Sequence, residues 1–394
     1  MPTLDTWRFH LGEALGAEAP AYDDSSWREV FVPHDWSIEG DAPFTPDTPG
    51  KGATGHVTGG IGWYRTRVKL DPTVRHRLVF QGAYLEAQVW VDGIPAARHL
   101  YGYTPFEAEI PAGKSEAVVT VRVDNPGHNS RWYTGAGLYR PVILERLGSA
   151  AIRRDGLFAL PDKKGKAWTV QCSAQVDAVC DVRFTVLDPN GTPVGEATAS
   201  GTSGLARTGI AVDKPRLWNP WDSPKAMPGE QPRYTLRAEA LGETPHSAEV
   251  RFGFREVEYG QNGLFVNGER ILLKGGCIHH DHGVLGSAAH DLAEIRKVRL
   301  LKEAGYNAIR TSHNPPSEAL LEICDRFGLL VIDEVHDEWE VAKTPQGYHR
   351  HFVQHAEEDA RDMVRRDRNH PSVWCWSIGN EIPGCYERPD LALK

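Results

Sequence analysis

The sequence has no C-x-x-C pair, no apolar run of membrane length and no surplus of basic residues. Each absence narrows the range of functions. The six cysteines, Cys172, Cys180, Cys277, Cys324, Cys375 and Cys385, are too widely spread for a metal cage or a dense disulfide framework. Only Cys172 with Cys180 is spaced for pairing, across neighbouring strands. Cys277, Cys324 and Cys375 lie in or near apolar runs, as buried reduced thiols do. The start, "MPTLDTWRFHLGEA", lacks a basic segment followed by an apolar one, and no window approaches the roughly 18 apolar residues of a span. A cytoplasmic protein with no membrane partner is therefore expected. The formal net charge of -9, with both signs interleaved, argues against a phosphate-tracking surface, so no nucleic-acid partner is expected either.

What is present is ordinary globular composition, 40% hydrophobic and 25% charged, over 394 residues. That length suggests two or three domains, each with its own core. Up to about residue 147 the chain runs in short alternating stretches, among them "WYRTRVKL", "EAQVWVDG" and "AVVTVRVDN", broken by turn residues. Period-two alternation with frequent turns predicts an antiparallel sandwich, with "VDG" at 91–93 as a hairpin turn. Residues 149–257 hold a second run of strands, some seven in all, which predicts an immunoglobulin-like β-sandwich acting as a spacer.

From about residue 258 the pattern changes to strand followed by helix, repeated. "RILLKGG", "YNAIRTS", "LLVIDEV" and "SVWCWSI" read as strands. "HDLAEIRKVRLLKEAG", "SEALLEICDRFG" and "QHAEEDARDMVRRDRN" read as helices, with Ser317 as an N-cap and Gly305 as a stop. This is the grammar of parallel βα units, whose functional face lies where strands feed into helices. Polar residues collect there: Cys277, His279, His280, Asp281 and His282; then Arg310, His313 and Asn314; then Asp333, Glu334, His336, Asp337, Glu338 and Trp339; and finally Asn380 and Glu381.

A zinc reading of "HHDH" is weak, because adjacent residues rarely converge on one ion and no H-E-x-x-H accompanies them. A sugar site accounts for more of the pattern. Carboxylates supply acid, base and nucleophile, while His, Asn, Asp and Trp hold hydroxyls and ring faces. Glu381, ending an apolar strand beside Trp374, Trp376 and Asn380, is placed where desolvation would raise a carboxyl pKa toward that of a general acid.

The ordered motifs "VPHDWSIEG" at 32, "GGIGWYRTRV" at 59, "SRWYTGAGLYRPV" at 130, "LKGGCIHHDHGVLG" at 273, "NAIRTSHNPPS" at 307 and "RDRNHPSVWCWSIGNE" at 366 resemble glycoside hydrolase family 2, and within it the β-galactosidase branch. The resemblance implies a multidomain β plus α/β chain: a jelly-roll β-sandwich (1–148), an immunoglobulin-like β-sandwich (149–257) and the first half of a TIM (β/α)8 barrel (258–394). It implies retaining, exo-acting hydrolysis of terminal β-D-galactosides by double displacement, with Glu381 as general acid/base and Asn380 on the sugar's 2-hydroxyl. His279 and His313 match histidines that hold the ring, Arg310 matches an arginine supporting the nucleophile, and Asp35 a first-domain loop closing the pocket. Asp337 and Trp339 are further substrate-binding candidates. Arg131 stands where some relatives carry an acid. Glu338 and Glu340 replace the Glu and His of magnesium-dependent relatives, so no metal or other cofactor is expected. A carbohydrate is the expected ligand, and the resemblance leaves room for a homo-oligomer of the full-length enzyme.

A retaining glycosidase needs two carboxylates about 5 to 5.5 Å apart. In the family the nucleophile is a Glu on the seventh barrel strand, whereas residues 258–394 supply four strands, roughly half of a typical barrel of about 250 residues. The expectation is a fragment that is inactive alone, with Glu334 and Glu338 as remote stand-ins for the nucleophile. β-Glucuronidase or β-mannosidase activity, or a non-catalytic carbohydrate-binding role, are the competing readings.

Overall fold

The computed structural model describes residues 2–40 and 47–383; Cys385 lies outside them. In the first unit a six-stranded antiparallel sheet has the spatial order Arg28–Phe31, Thr6–Leu11, Gly60–Lys69, Glu116–Asn125, Glu86–Val91, Ile94–His99. A three-stranded sheet of Phe106–Ile110, Arg75–Phe80 and Val142–Leu147 accompanies it. Alternation explains the packing: along Glu86–Val91, Ala87, Val89 and Val91 turn inward and join Trp7, Phe9, Tyr64, Leu78 and Phe80 in one core. The "VDG" turn forms as its residues require, with Asp92 and Gly93 at φ 51° and 78°, both left-handed, as a tight primed hairpin turn needs.

The second unit holds seven strands in two sheets. Ile152–Lys164, Ala167–Val176 and Leu205–Val212 form one; Pro193–Ser200, Asp181–Leu187, Tyr234–Leu241 and His246–Phe252 form the other. In "AWTVQCSAQV" every second residue is buried, from Trp168 to Val176, facing Phe184, Leu236 and Phe252. Cys172 and Cys180 are both buried, and both are free thiols rather than a pair.

A small meander, Val257–Gly260, Gly263–Val266 and Glu269–Ile271, precedes a parallel sheet. The sheet's order is β1 (Gly275–Ile278), β2 (Ala308–Thr311), β3 (Leu330–Glu334) and β4 (Val373–Ser377), linked by α1 (Asp291–Glu303), α2 (Glu318–Phe327) and α3 (His349–Asp367). Two expectations shift here. "RILLKGG" is not one strand: Glu269–Ile271 ends the meander, and β1 begins at Gly275, where a Cβ would sit 2.3 Å from the Ala308 carbonyl oxygen. Helix α3 begins at His349 rather than Gln354, because the Glu338 carboxylate accepts the His349 N–H at 2.9 Å from eleven residues upstream.

Helix α2 follows its local signals. The Ser317 hydroxyl accepts the Leu320 N–H at 3.1 Å, Gly328 closes it at φ 76°, and Leu320, Leu321, Ile323 and Cys324 pack inward. The sheet stays open, with β1 and β4 as its edges. That openness explains why Cys277 is exposed and Cys375 only half-buried, contrary to the buried thiols expected, while Cys324 is fully buried. Among the described residues no helix is long and apolar enough to cross a membrane.

The first unit docks on the parallel unit through Arg140, which donates to the Tyr103 and Pro315 carbonyls at 2.7 and 2.9 Å, and through the Tyr101 hydroxyl on the Val335 carbonyl. The second unit docks through the Trp218 and Trp221 indoles, on the Asp325 and Tyr306 carbonyls at 2.7 and 2.8 Å.

Candidate active site

Strand alternation sorts the two acids that end β3. Glu334 points to the face shared with Arg310 and Ser377, and Asp333 points the other way. The Glu334 carboxylate, fully buried, accepts Arg310 Nε at 2.9 Å and lies 2.7 Å from His313 Nδ1. The Ser377 hydroxyl of β4 donates to it as well, since Glu334 and Ser377 are register partners. Burial pushes Glu334 toward the neutral acid, but the hydrogen bonds from His313, Ser377 and Arg310 outweigh it and hold the carboxyl below its ordinary range. Asp333 is instead pushed well up, by burial and by the neighbouring Asp367 carboxylate. Glu334 is thus an organising anion with its oxygens occupied, which contradicts its use as a stand-in nucleophile.

Around this anion the expected residues assemble to different degrees. Asn380 is buried, accepting Arg310 Nη2 at 3.1 Å and donating to Asp337 Oδ1 at 2.9 Å, so its amide is fixed from both sides. The His279 ring stacks on Trp132 at 5.1 Å and meets His313 edge-on at 5.8 Å. Burial, reinforced by His313, lowers the His279 pKa and keeps its imidazole neutral. Trp132 comes from the first unit, in the "SRWYTGAGLYRPV" loop at 130, where nothing in the sequence alone placed it in the site.

Glu381 sits at the end of this chain of contacts, at φ 45°, with its side chain 74% exposed and Arg131 Nη2 3.7 Å from its carboxylate. The desolvation expected from Trp374 and Trp376 is absent: Trp376 is itself 37% exposed on the open sheet. Position at the strand end survives as its main qualification.

Three expected ligands are engaged by the chain itself. Asp35 is buried and accepts five hydrogen bonds, from Ser37 N, Ala136 N, the Tyr133 hydroxyl, Ser287 N and the Ser287 hydroxyl. It therefore ties the first unit to the loop after β1, and no oxygen is left to grip a sugar. Asp337 accepts Arg131 through Nε and Nη2 at 3.1 and 2.7 Å, besides Asn380 and Lys343. Burial raises its carboxyl, but Arg131 and Asn380 bring it below the usual range. Trp339 is buried, its indole donates to the Ile378 carbonyl at 3.0 Å and its ring stacks on Phe352, so it braces the end of β4 rather than a sugar face.

The "HHDH" run does not converge. His280 Nε2 lies 3.0 Å from the Thr134 carbonyl and its pKa falls to about 3 through burial, whereas His282 faces Glu294 at 3.4 Å. Glu338 is buried and spent on Lys343 N and His349. Among the described residues one trio has metal-like spacing, Glu322, Asp325 and His370, away from this site. Its donors are already engaged: Glu322 by Arg233 and Arg251, and Asp325 by His370 and Ser372 N.

Sequence signals for the roles of Arg131, already noted, and of Trp132 and Lys343, not singled out, were not local. Arg131, Trp132 and Lys343 lie on loops without periodicity, and only the docking of the first unit brings the first two to Asp337 and His279.

The family model "Glycosyl hydrolases family 2, TIM barrel domain" matches residues 257–392, and "Glycosyl hydrolases family 2" matches 155–255. A β-galactosidase of Bacteroides ovatus is 36% identical over 95% of this chain and 46% of its own length. A putative β-glucuronidase of Formosa agariphila is 33% identical over 96% of this chain and 37% of its own. Among solved structures, a family 2 glycosyl hydrolase of Bacteroides cellulosilyticus superimposes with a TM-score of 0.88 at 37% identity, over 96% of this chain and 51% of that one. A β-glycosidase of Bacteroides vulgatus gives 0.90 at 32%, over 100% and 52%. The chain thus spans between about a third and a half of the length of these relatives. With family 2 models covering both its second sandwich and its parallel βα unit, the chain belongs to glycoside hydrolase family 2.

Proposed function

We propose that this chain is the N-terminal part of a retaining, exo-acting β-galactosidase, with Glu381 as general acid/base and the four βα strands as half of a (β/α)8 barrel. The observation that carries the reading is Asn380, locked between Arg310 and Asp337, which sets Glu381 on the open rim at the end of β4. In the first step Glu381 gives its proton to the leaving oxygen while a second carboxylate attacks the anomeric carbon; in the next, Glu381 takes a proton from the water that releases the sugar. His279 and His313 line the ring, and Arg310 with Glu334 holds the floor. The second carboxylate comes from chain beyond these 394 residues, so residues 1–394 alone do not turn over substrate.

A second reading is a β-glucuronidase. Arg131, beside Asp337, puts a cationic side chain on the same rim, where a sugar carboxylate would be drawn. Nitrophenyl β-galactoside, β-glucuronide and β-mannoside, offered to residues 1–394 and to the longer protein, separate these readings. The expected result is β-galactoside turnover by the longer protein only. Turnover by residues 1–394, or preference for another sugar, overturns the corresponding part.

A further inference from the structure

Arg131 is brought to the site by the first unit and is the point where that unit touches the proposed acid/base. Its guanidinium forks onto Asp337, with Nε at 3.1 Å and Nη2 at 2.7 Å, and the same Nη2 stands 3.7 Å from Glu381. Asp337 in turn accepts the Asn380 amide, so one side chain controls two neighbours in sequence, Asn380 through Asp337 and Glu381 directly. The next residue, Trp132, stacks on His279, so one short loop supports both sides of the site. The loop is itself tied down, because Asp35 accepts Tyr133 and Ala136 from it and Ser287 from the loop after β1. The bidentate fork matters: a guanidinium fixes a carboxylate plane in a way an ammonium does not.

We propose that Arg131 is a positioning residue for acid/base catalysis, so that the Asn380–Glu381 end of the site takes its working geometry only when the first unit is docked. This rests on the reading of Glu381 given above. On free substrate Arg131 makes no chemical step; it orients Asp337 and Asn380 and presents Glu381 to the leaving oxygen.

Two measurements test it. In the longer protein, R131A, R131K and E381Q are compared on a galactoside with a poor leaving group (methyl) and one with a good leaving group (2,4-dinitrophenyl). Loss of proton donation harms the poor leaving group selectively, whereas a general loss of folding or binding harms both alike. R131A is expected to lose about tenfold more on the methyl than on the dinitrophenyl substrate, with part of the loss restored by added guanidinium and little by R131K. Equal losses on both substrates, with E381Q selective, overturn the role of Arg131. If E381Q itself is not selective, the reading of Glu381 fails and the proposal falls with it. In residues 1–394, R131A is expected to speed amide hydrogen exchange at 376–382, where Asn380 N donates to the His336 carbonyl at 3.0 Å. Unchanged exchange there overturns the proposal independently of any activity.

Discussion

Arg310, half-buried, and Glu334, fully buried, form the ion pair on which the proposed active site is organised. Arg310 Nε reaches the carboxylate at 2.9 Å from the adjacent strand, and the same anion takes His313 and Ser377. Removing Arg310 leaves the buried Glu334 charge with His313 and Ser377 but without its cation, a loss smaller than the roughly 3 to 5 kcal/mol of a fully buried pair. R310M is therefore expected to destabilise the parallel unit by roughly 1 to 3 kcal/mol, and E334Q by less, since the amide still meets His313 and Ser377. Calorimetric unfolding that resolves the parallel unit is the check.

The same pair sets an acid limit. Glu334 has a folded pKa below its ordinary value of 4.5, so its contribution is present above about pH 4.5 and is lost as pH falls through the lower folded value. Wild type should lose stability below about pH 4.5 more steeply than E334Q. Parallel slopes in a thermal-melt series from pH 3 to 6 would contradict this.

Asp359 predicts the opposite slope near neutrality. This buried acid of α3 is held by the Tyr348 hydroxyl and by Thr104 of the first unit at 3.4 Å, and burial pushes its pKa up to about 7. A raised carboxyl pKa contributes stability that is fully present below about pH 4 and declines as pH rises through 7. D359N should flatten the melting-temperature decline between pH 5 and 8, as a melt series over that range checks; a decline as steep as that of wild type would contradict this.

Asp35 gives a test of docking rather than of sugar binding. D35A leaves buried Ser37, Ala136 and Ser287 amides unsatisfied, at a cost of about 3 kcal/mol. Limited proteolysis should open the loops at 133–136 and 283–288, where Asp35 now joins them. Protection equal to wild type at both loops would show that the two units dock without it.

Much of the fold was legible because it is written locally. The alternation of "EAQVWV" and "AWTVQCSAQV", the Asp92-Gly93 turn, and the Ser317 and Gly328 ends of α2 each carry their instructions within a few residues. The start of α3 was not, since Glu338 sets it from a distant loop. In the candidate site, His279, His313, Arg310 and Asn380 stood out because βα folds put their chemistry at strand ends. That Asp35 and Trp339 are engaged by neighbouring parts of the chain was not legible, because a buried acid or indole looks the same in sequence whether it faces a ligand or a neighbouring unit. Arg131, Trp132 and Glu334 acquire meaning only from strand register and domain docking.

The most direct test of the account is azide rescue of E381A in the longer protein, with 2,4-dinitrophenyl β-galactoside as substrate. A galactosyl enzyme that lacks its base is attacked by azide from the face that water would use. The account predicts restored turnover and β-galactosyl azide as product. α-Galactosyl azide would make Glu381 the nucleophile, and the absence of any azide product or rate gain would contradict its role as acid/base.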